Sequence, residues 1–343
     1  MLVVRAIRAS DLDAMIVMAS QVGSGMTTLK PDRKMLGDRI EVAVASFAGS
    51  IAPDKRDYMF VMEDLENQRL AGVCAIKAAV GLDEPFYNYR IGTLVHSSRE
   101  LGVFSRMETL YLSNDLTGAT ELCSLFLHPD YREGYNGKWL SKCRFLFIAQ
   151  YPQLFTTKII AEMRGYIVGE RSPFYEGLGR HFFKMDFNAV DALTAKGKKS
   201  FIAELMPRQP LYVDYLPEEA RAVIGKVHDN TVPARRMLEA EGMHYEGYVD
   251  IFDAGPVLQA RVSELRALRE STLCTVDAAA ASADSEPLLV SNTDMQNFRM
   301  IVARSNPVGG RIALSAAEQD LLQVGAGASV RTLSLNIRKP NHG

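Results

Sequence analysis

The sequence carries no surplus of either charge. Its 343 residues hold 39 Lys and Arg against 41 Asp and Glu, a formal net charge of -2, so no global positive field draws it to a phosphate polymer or an anionic membrane. Neither a nucleic acid nor a membrane is expected as partner. No uncharged apolar run approaches the ~20 residues that cross a bilayer. The opening stretch is interrupted by Arg5, Arg8, Asp11 and Asp13, which is not the pattern of a secretory signal, and a cytoplasmic location is expected. Cysteine is scarce: Cys74, Cys123, Cys143 and Cys274 include no CxxC pair. They read as buried thiols in a reducing compartment rather than disulfides or zinc ligands. There is no GxGxxG after a strand, no GxxxxGK[ST] and no HExxH or HxH metal spacing. The absence of a GxSxG elbow disfavours a serine hydrolase, and no fixed period recurs that would mark a solenoid.

What is present is an ordinary globular composition, 47% hydrophobic and 23% charged, long enough for two or three packed units. Residues Tyr58–Asp64 and Arg69–Ala75 read as a hairpin across the polar turn Leu65–Gln68. A third strand, Glu121–Leu127, ends at His128-Pro129-Asp130, since proline cannot continue a ladder. A Gly- and Asn-bearing loop follows, then an amphipathic helix over Lys138–Ala149. Lys158–Met163 and Phe201–Met206 read as further strands, and PEEARAVIGKV after Leu216 reads as a helix. Thr231–Glu241 is expected to be helical, with Thr231 as cap, Pro233 in the first turn and Gly242 at the stop, and Tyr245–Phe252 a strand. Thr275–Pro287, small and polar, is the best linker, and Leu288–Gly343 a short appended unit with strand-like runs. Phe174–Gly179 and Met237–Gly242 echo one another, which suggests a tandem duplication.

Two places could carry chemistry. The first is the loop Arg132-Glu133-Gly134-Tyr135-Asn136-Gly137-Lys138. On spacing alone it is a surface turn with basic residues. Its context, a strand ending before it and a helix opening after it, presents unpaired backbone N–H groups and the positive helix end to an anion. The second is His228, between an apolar run and the polar turn Asp229-Asn230-Thr231, with the ordinary pKa of ~6.5 that suits proton transfer. A histidine that merely caps the turn is the plain alternative. Cys123, within an apolar strand, reads as core rather than nucleophile. Gly23-Ser24-Gly25 is assigned nothing beyond a flexible loop.

The segments ELCSLFL, HPDYREGYNGKWL and SPFYEGLGRHFF together resemble the acyl-CoA-binding half of the GNAT acyltransferase superfamily. PFYNYRIGTLVHSS, DLTGATELCSLFL, AEMRG, SPFYEGLGRHFFKMDF, FIAELMP, VIGKVH and YVDIFDAGP further resemble the arginine N-succinyltransferase family, to about Glu270. The resemblance implies an α/β protein with a mixed sheet, in tandem GNAT-like lobes with a small C-terminal β-rich appendage. The expected division is 1–190 for the lobe with the acyl-CoA loop, 191–274 for the lobe carrying His228 and 275–343 for linker and appendage. It also implies transfer of succinyl from succinyl-CoA to the α-amine of L-arginine, with no metal or prosthetic group, and the sequence is compatible with a homo-oligomer. Leu125 corresponds to the family's acyl-CoA contact and His228 to its proton donor. Phe126 and Leu127 would offer backbone groups to the pantetheine arm, and Arg132, Gly134, Asn136, Gly137 and Lys138 would hold the pyrophosphate. The loop departs from the superfamily pattern Arg/Gln-x-x-Gly-x-Gly/Ala, for Tyr135 stands at the first glycine position and Gly134 one place earlier. The guanidinium needs a carboxylate, for which Glu121, Asp115, Glu162 and Asp250 are all candidates.

Overall fold

The computed structural model describes residues 1–22, 26, 28–169, 171–195, 199–277 and 285–336. Gly23-Ser24-Gly25 and most of the expected linker lie outside them. The described residues form one mixed sheet of fifteen strands. In chain order these are β1 (Leu2–Ala6), β2 (Asp57–Asp64), β3 (Arg69–Lys77), β4 (Asn88–Ser98), β5 (Val103–Ser113), β6 (Thr120–Leu127), β7 (Lys158–Glu162) and β8 (Leu211–Tyr212). They continue as β9 (His244–Asp250), β10 (Pro256–Arg261), β11 (Thr272–Asp277), β12 (Pro287–Asn292), β13 (Arg299–Arg304), β14 (Arg311–Ala313) and β15 (Ser329–Ser334). Across the sheet they lie in the order 14-11-15-12-13-1-2-3-6-7-10-9-4-5-8. Every neighbouring pair is antiparallel except β6 with β7 and β11 with β14. The C-terminal strands thus extend the sheet from the far side of β1, where Val4 pairs with Met300.

The centre of the sheet is apolar on both faces because both are covered. Tyr58 to Met62 are completely buried, the continuous run expected of a strand sandwiched between layers. Alternation sends Met59 and Val61 to one face, against α1 (Leu12–Ala19) and α2 (Arg33–Phe47). Tyr58, Phe60 and Met62 go to the other, against α3 (Asn136–Gln150). Every residue of α3 from Trp139 to Ala149 is buried, which is why its sequence is apolar nearly all round. Its two buried cations are both answered: Arg144 reaches Ser141, and Lys142 pairs with Glu241. Glu241 also receives Arg266. All four cysteines are buried and free, with the Cys74 and Cys143 sulfurs 3.3 Å apart. Among the described residues no helix is long and apolar enough to cross a membrane.

Several expectations need correction. Phe201–Met206 is helical, within Ser200–Leu205 and its C-cap. Ile202 and Met206 are the buried positions, four apart as one helix face requires, and a short apolar run alone cannot tell strand from helix. The helix expected over PEEARAVIGKV is only Glu218–Arg221. Gly225, at φ +73°, ends the turns after it, and Val227 forms a bridge with Gly165. The echo between Phe174–Gly179 and Met237–Gly242 does not mark equivalent places, since a helix rather than a strand follows the first. A closer internal echo joins His128 and His228. Each ends an extended segment and caps a one-turn 3-10 helix, and each is followed within a few residues by a helix. Of the expected linker, Thr275–Asp277 belongs to β11.

Candidate active site

The site is an opening between two parallel strands. β6 and β7 pair only at Thr120 with Ile159 and Glu121 with Ile160, although β6 runs on to Leu127. β7 stays fully paired to β10 on its other side, so the strands separate beyond Glu121. A bulge in β6 accompanies the split: its register against β3 shifts between Val73 and Ala75, and Ser124 sits at φ +55°. A left-handed non-glycine residue costs roughly 1–2 kcal/mol and needs outside support. Arg39 of α2 supplies it, donating to the Ser124 hydroxyl at 2.9 Å while paired to Asp57 at 2.7 Å. The Ser124 hydroxyl in turn donates to Thr28.

The His128 amide bonds to Ala71 of β3, whereas the Leu127 carbonyl turns the other way and accepts from Arg132 Nε at 2.9 Å. Strand alternation then turns the backbone of Leu125, two residues back, toward the opening, and both leucines are half-buried. Arg132 curls over the end of β6, its guanidinium 5.8 Å from the Phe126 ring centre. Beyond it Gly134, at φ +54°, makes the turn into α3. The Asn136 amide bonds to Glu133 and the Trp139 amide to Tyr135. Between them, the amides of Gly137 and Lys138 bond to no described residue. A side chain at Gly134 would meet nothing within 4 Å, and one at Gly137 only Leu127 at 3.9 Å. The open amides at the start of a fifteen-residue helix thus face free space. Tyr135, at the displaced glycine position, caps α3 at the exposed surface, with its hydroxyl 3.4 Å from Arg304.

The opposite wall is the continuation of β7. Counting on from Glu121 with Ile160, four residues bring one wall to Leu125 and the other to Arg164. There the Arg164 carbonyl accepts the His228 amide at 2.9 Å, and Gly165 bridges Val227. The chain passes this corner closely. A Cβ on Gly165 would lie 2.3 Å from the Asp253 carbonyl, and one on Gly255 2.0 Å from that of Met163. His228 Nδ1 accepts from the Asn230 amide at 3.2 Å, so the histidine does cap its turn. That bond assigns the ring proton to Nε2 and leaves Nε2–H for a reactant. His128 makes the same bond to Asp130 but is buried, with its amide bonded to Ala71 of β3.

Beside the opening lies a cavity of about 730 Å³, within the range of small-molecule sites. Of the four candidate carboxylates, Glu121, Glu162 and Asp250 line it together with Asp253. Asp115 is elsewhere, exposed and bonded to Tyr248. Glu121 is 8% exposed and accepts no hydrogen bond from a described side chain. Glu162 accepts from Asn88 at 2.9 Å, and burial together with the charges of Asp250 and Glu121 holds its pKa well above the carboxylate range. Cations line the same space. Arg39 and Arg164, which sequence reasoning passed over, are among them, and only AEMRG hinted at the second. Cys123 lies beneath Arg39, and burial pushes its thiol up to about 11, so it stays protonated and is a poor nucleophile near neutrality.

A parallel pair splayed at a bulge, open helix amides at one end of the gap and a histidine anchored by its backbone to the other wall fit a protein of the acyltransferase class. Comparison with known proteins makes this specific. Residues 2–267 match the arginine N-succinyltransferase beta subunit family and residues 272–334 the C-terminal domain of that subunit, and the chain belongs to this family. It is 49% identical over 343 residues to an arginine N-succinyltransferase of Yersinia pseudotuberculosis, covering 98% of each. To one of Shigella sonnei it is 46% identical over 338 residues, again covering 98% of each. The structure of arginine/ornithine succinyltransferase subunit AI from Pseudomonas aeruginosa superposes with a TM-score of 0.90 at 34% identity, covering 98% of this chain and 99% of that one.

Proposed function

We propose that this protein transfers succinyl from succinyl-CoA to the α-amine of L-arginine, releasing N2-succinyl-L-arginine and CoA, and that it does so in the cytoplasm. The observation that carries this reading is the opening between β6 and β7, with Leu125 on one wall and the Arg164–His228 corner on the other. The pantetheine arm lies along β6, where the Leu125 backbone is turned to it and the Leu127 N–H remains after its carbonyl is taken by Arg132. The pyrophosphate rests on the amides of Gly137 and Lys138, with Arg132, Gly134 and Asn136 around it. The acyl group then points into the cavity, where the carboxylates Glu121, Glu162 and Asp250 receive the guanidinium.

The amine must lose a proton before attack and the sulfur must gain one on leaving. His228 offers Nε2–H to the developing thiolate. Acting as imidazolium, with Nδ1 also protonated and the long bond from Asn230 given up, His228 passes its Nε2 proton to the thiolate as the C–S bond breaks, and the bare Nε2 then takes the proton that the next substrate ammonium must lose. Transfer is direct, for the Cys123 thiol at the bulge is held protonated. The name of the Pseudomonas relative, which acts on arginine and ornithine, favours one second reading, a dual amine preference. A single assay tests all of this: free thiol release by the purified chain across acetyl-, succinyl- and other acyl-CoAs with L-arginine, L-ornithine and a peptide. Succinyl-CoA with L-arginine is expected to give the highest kcat/KM. Ligand binding without thiol release would mean a non-catalytic sensor and overturn the proposal.

A further inference from the structure

We propose that Arg164 is the receptor for a substrate carboxylate, either the far end of the succinyl group or the α-carboxylate of the amino acid, and so sets which substrates the cavity accepts. The inference rests on the acyltransferase reading above and deepens it.

The cations lining the cavity are not equivalent. Arg39 is committed to Asp57 and to the bulge. Lys55 pairs with Asp83, and Arg56 donates to the Ile51 carbonyl. Lys77 stands opposite Glu121 on the ladder, and Lys199 lies over the Phe86 ring at 5.6 Å. The Arg164 side chain makes neither a hydrogen bond nor an ion pair with any described residue, and its Nε is buried without a partner. An orphaned donor of this kind costs free energy that an incoming acceptor would restore. Its backbone is held on both sides, by the His228 amide at its carbonyl and by the Gly165 bridge to Val227. The guanidinium therefore springs from a fixed point at the reacting corner.

Both substrates bring an anion to that corner. The succinyl carboxylate is a short chain beyond the thioester carbon, and the α-carboxylate is attached to the carbon that bears the attacking amine. The surrounding wall is acidic, since Glu121, Glu162, Asp250 and Asp253 share the cavity, so a carboxylate entering it needs a cationic partner. A planar guanidinium matches a carboxylate in two parallel bonds and has a donor to spare here.

The test is equilibrium binding to the full chain by calorimetry, which does not depend on turnover of poor substrates. The ligand pairs are succinyl-CoA against CoA, and L-arginine against agmatine, the amine that lacks the α-carboxylate, measured with CoA present. Arg164→Gln is expected to weaken at least one carboxylate-bearing ligand by about tenfold to a hundredfold while its truncated counterpart binds as to the parent chain. Arg164→Lys should recover part of the loss. Loss on succinyl-CoA alone assigns the receptor to the acyl tail, and loss on L-arginine alone to the amino acid. Equal loss on all four ligands, or none, overturns the assignment of Arg164. A parent chain that binds neither succinyl-CoA nor L-arginine overturns the acyltransferase reading instead.

Discussion

Glu241 joins the two halves of the site, and removing it should show how strongly. Its side chain is wholly buried and accepts from Lys142 of α3 and from Arg266, at 2.9 to 3.2 Å in the latter case. The Lys142 and Arg266 side chains are 4% and 3% exposed, so solvent cannot replace what is lost. In Glu241→Ala, Arg266 keeps Glu270 and the Ser334 carbonyl, but Lys142 keeps nothing. Burial already lowers the Lys142 pKa, and without its carboxylate the amine sheds its proton, which limits the penalty. Breaking a buried pair in this way costs about 3–5 kcal/mol. The double variant Lys142→Met/Glu241→Met replaces the pair with apolar groups and should be less damaging than Glu241→Ala, with a coupling of about 1–3 kcal/mol. Urea unfolding of parent, single and double variants measures both. A loss below about 1 kcal/mol, or strictly additive singles, would refute the reasoning. There is a functional counterpart: Lys142 lies on the helix whose first turn carries the free amides, and Glu241 caps the helix that follows His228. Glu241→Ala should accordingly raise KM for succinyl-CoA as well.

Two further outcomes are expected. His228→Ala should lower kcat by roughly 10²–10⁴ with little change in CoA affinity; His228→Asn, which can still accept from the Asn230 amide, should lose as much activity while keeping the parent melting temperature, and unchanged turnover in either would remove His228 from the mechanism. Glu162→Gln should weaken L-arginine binding yet stabilise the free protein. Because the folded Glu162 pKa is raised, its stabilising contribution is present below the unfolded carboxylate value and lost as pH rises through the folded one. The gain in melting temperature should therefore appear at neutral pH and vanish in acid; a gain confined to acid pH would reverse the sign and refute it.

The hairpin of β2 and β3, the strand β6, the loop after it and the helix α3 were all legible in the sequence, because each is a local run bounded by a turn residue or proline, although α3 is buried all round rather than amphipathic as expected. Resemblance carried by peptides such as ELCSLFL and SPFYEGLGRHFFKMDF pointed to the family. The hairpin of β4 and β5 was not legible, since its tip is solvated and even Leu101 and Phe104 lie exposed there, leaving no clean alternation. The bulge at Ser124 carried no glycine to announce it, and the Ser124 hydroxyl is held by Arg39, 85 residues away in sequence.

The sequence by itself determined the central strands, the loop that opens α3 and the residue types the chemistry needs. Only the tertiary structure decided which of them meet. It excluded Asp115 from the cavity, gathered Glu121, Glu162 and Asp250 there, and anchored His228 on Arg164. The reason is that hydrogen-bond ladders and apolar periodicity are read over a few neighbouring residues, whereas a binding site is made where strands distant in the chain separate, here beside a bulge in β6 whose Ser124 is held by Arg39 of α2.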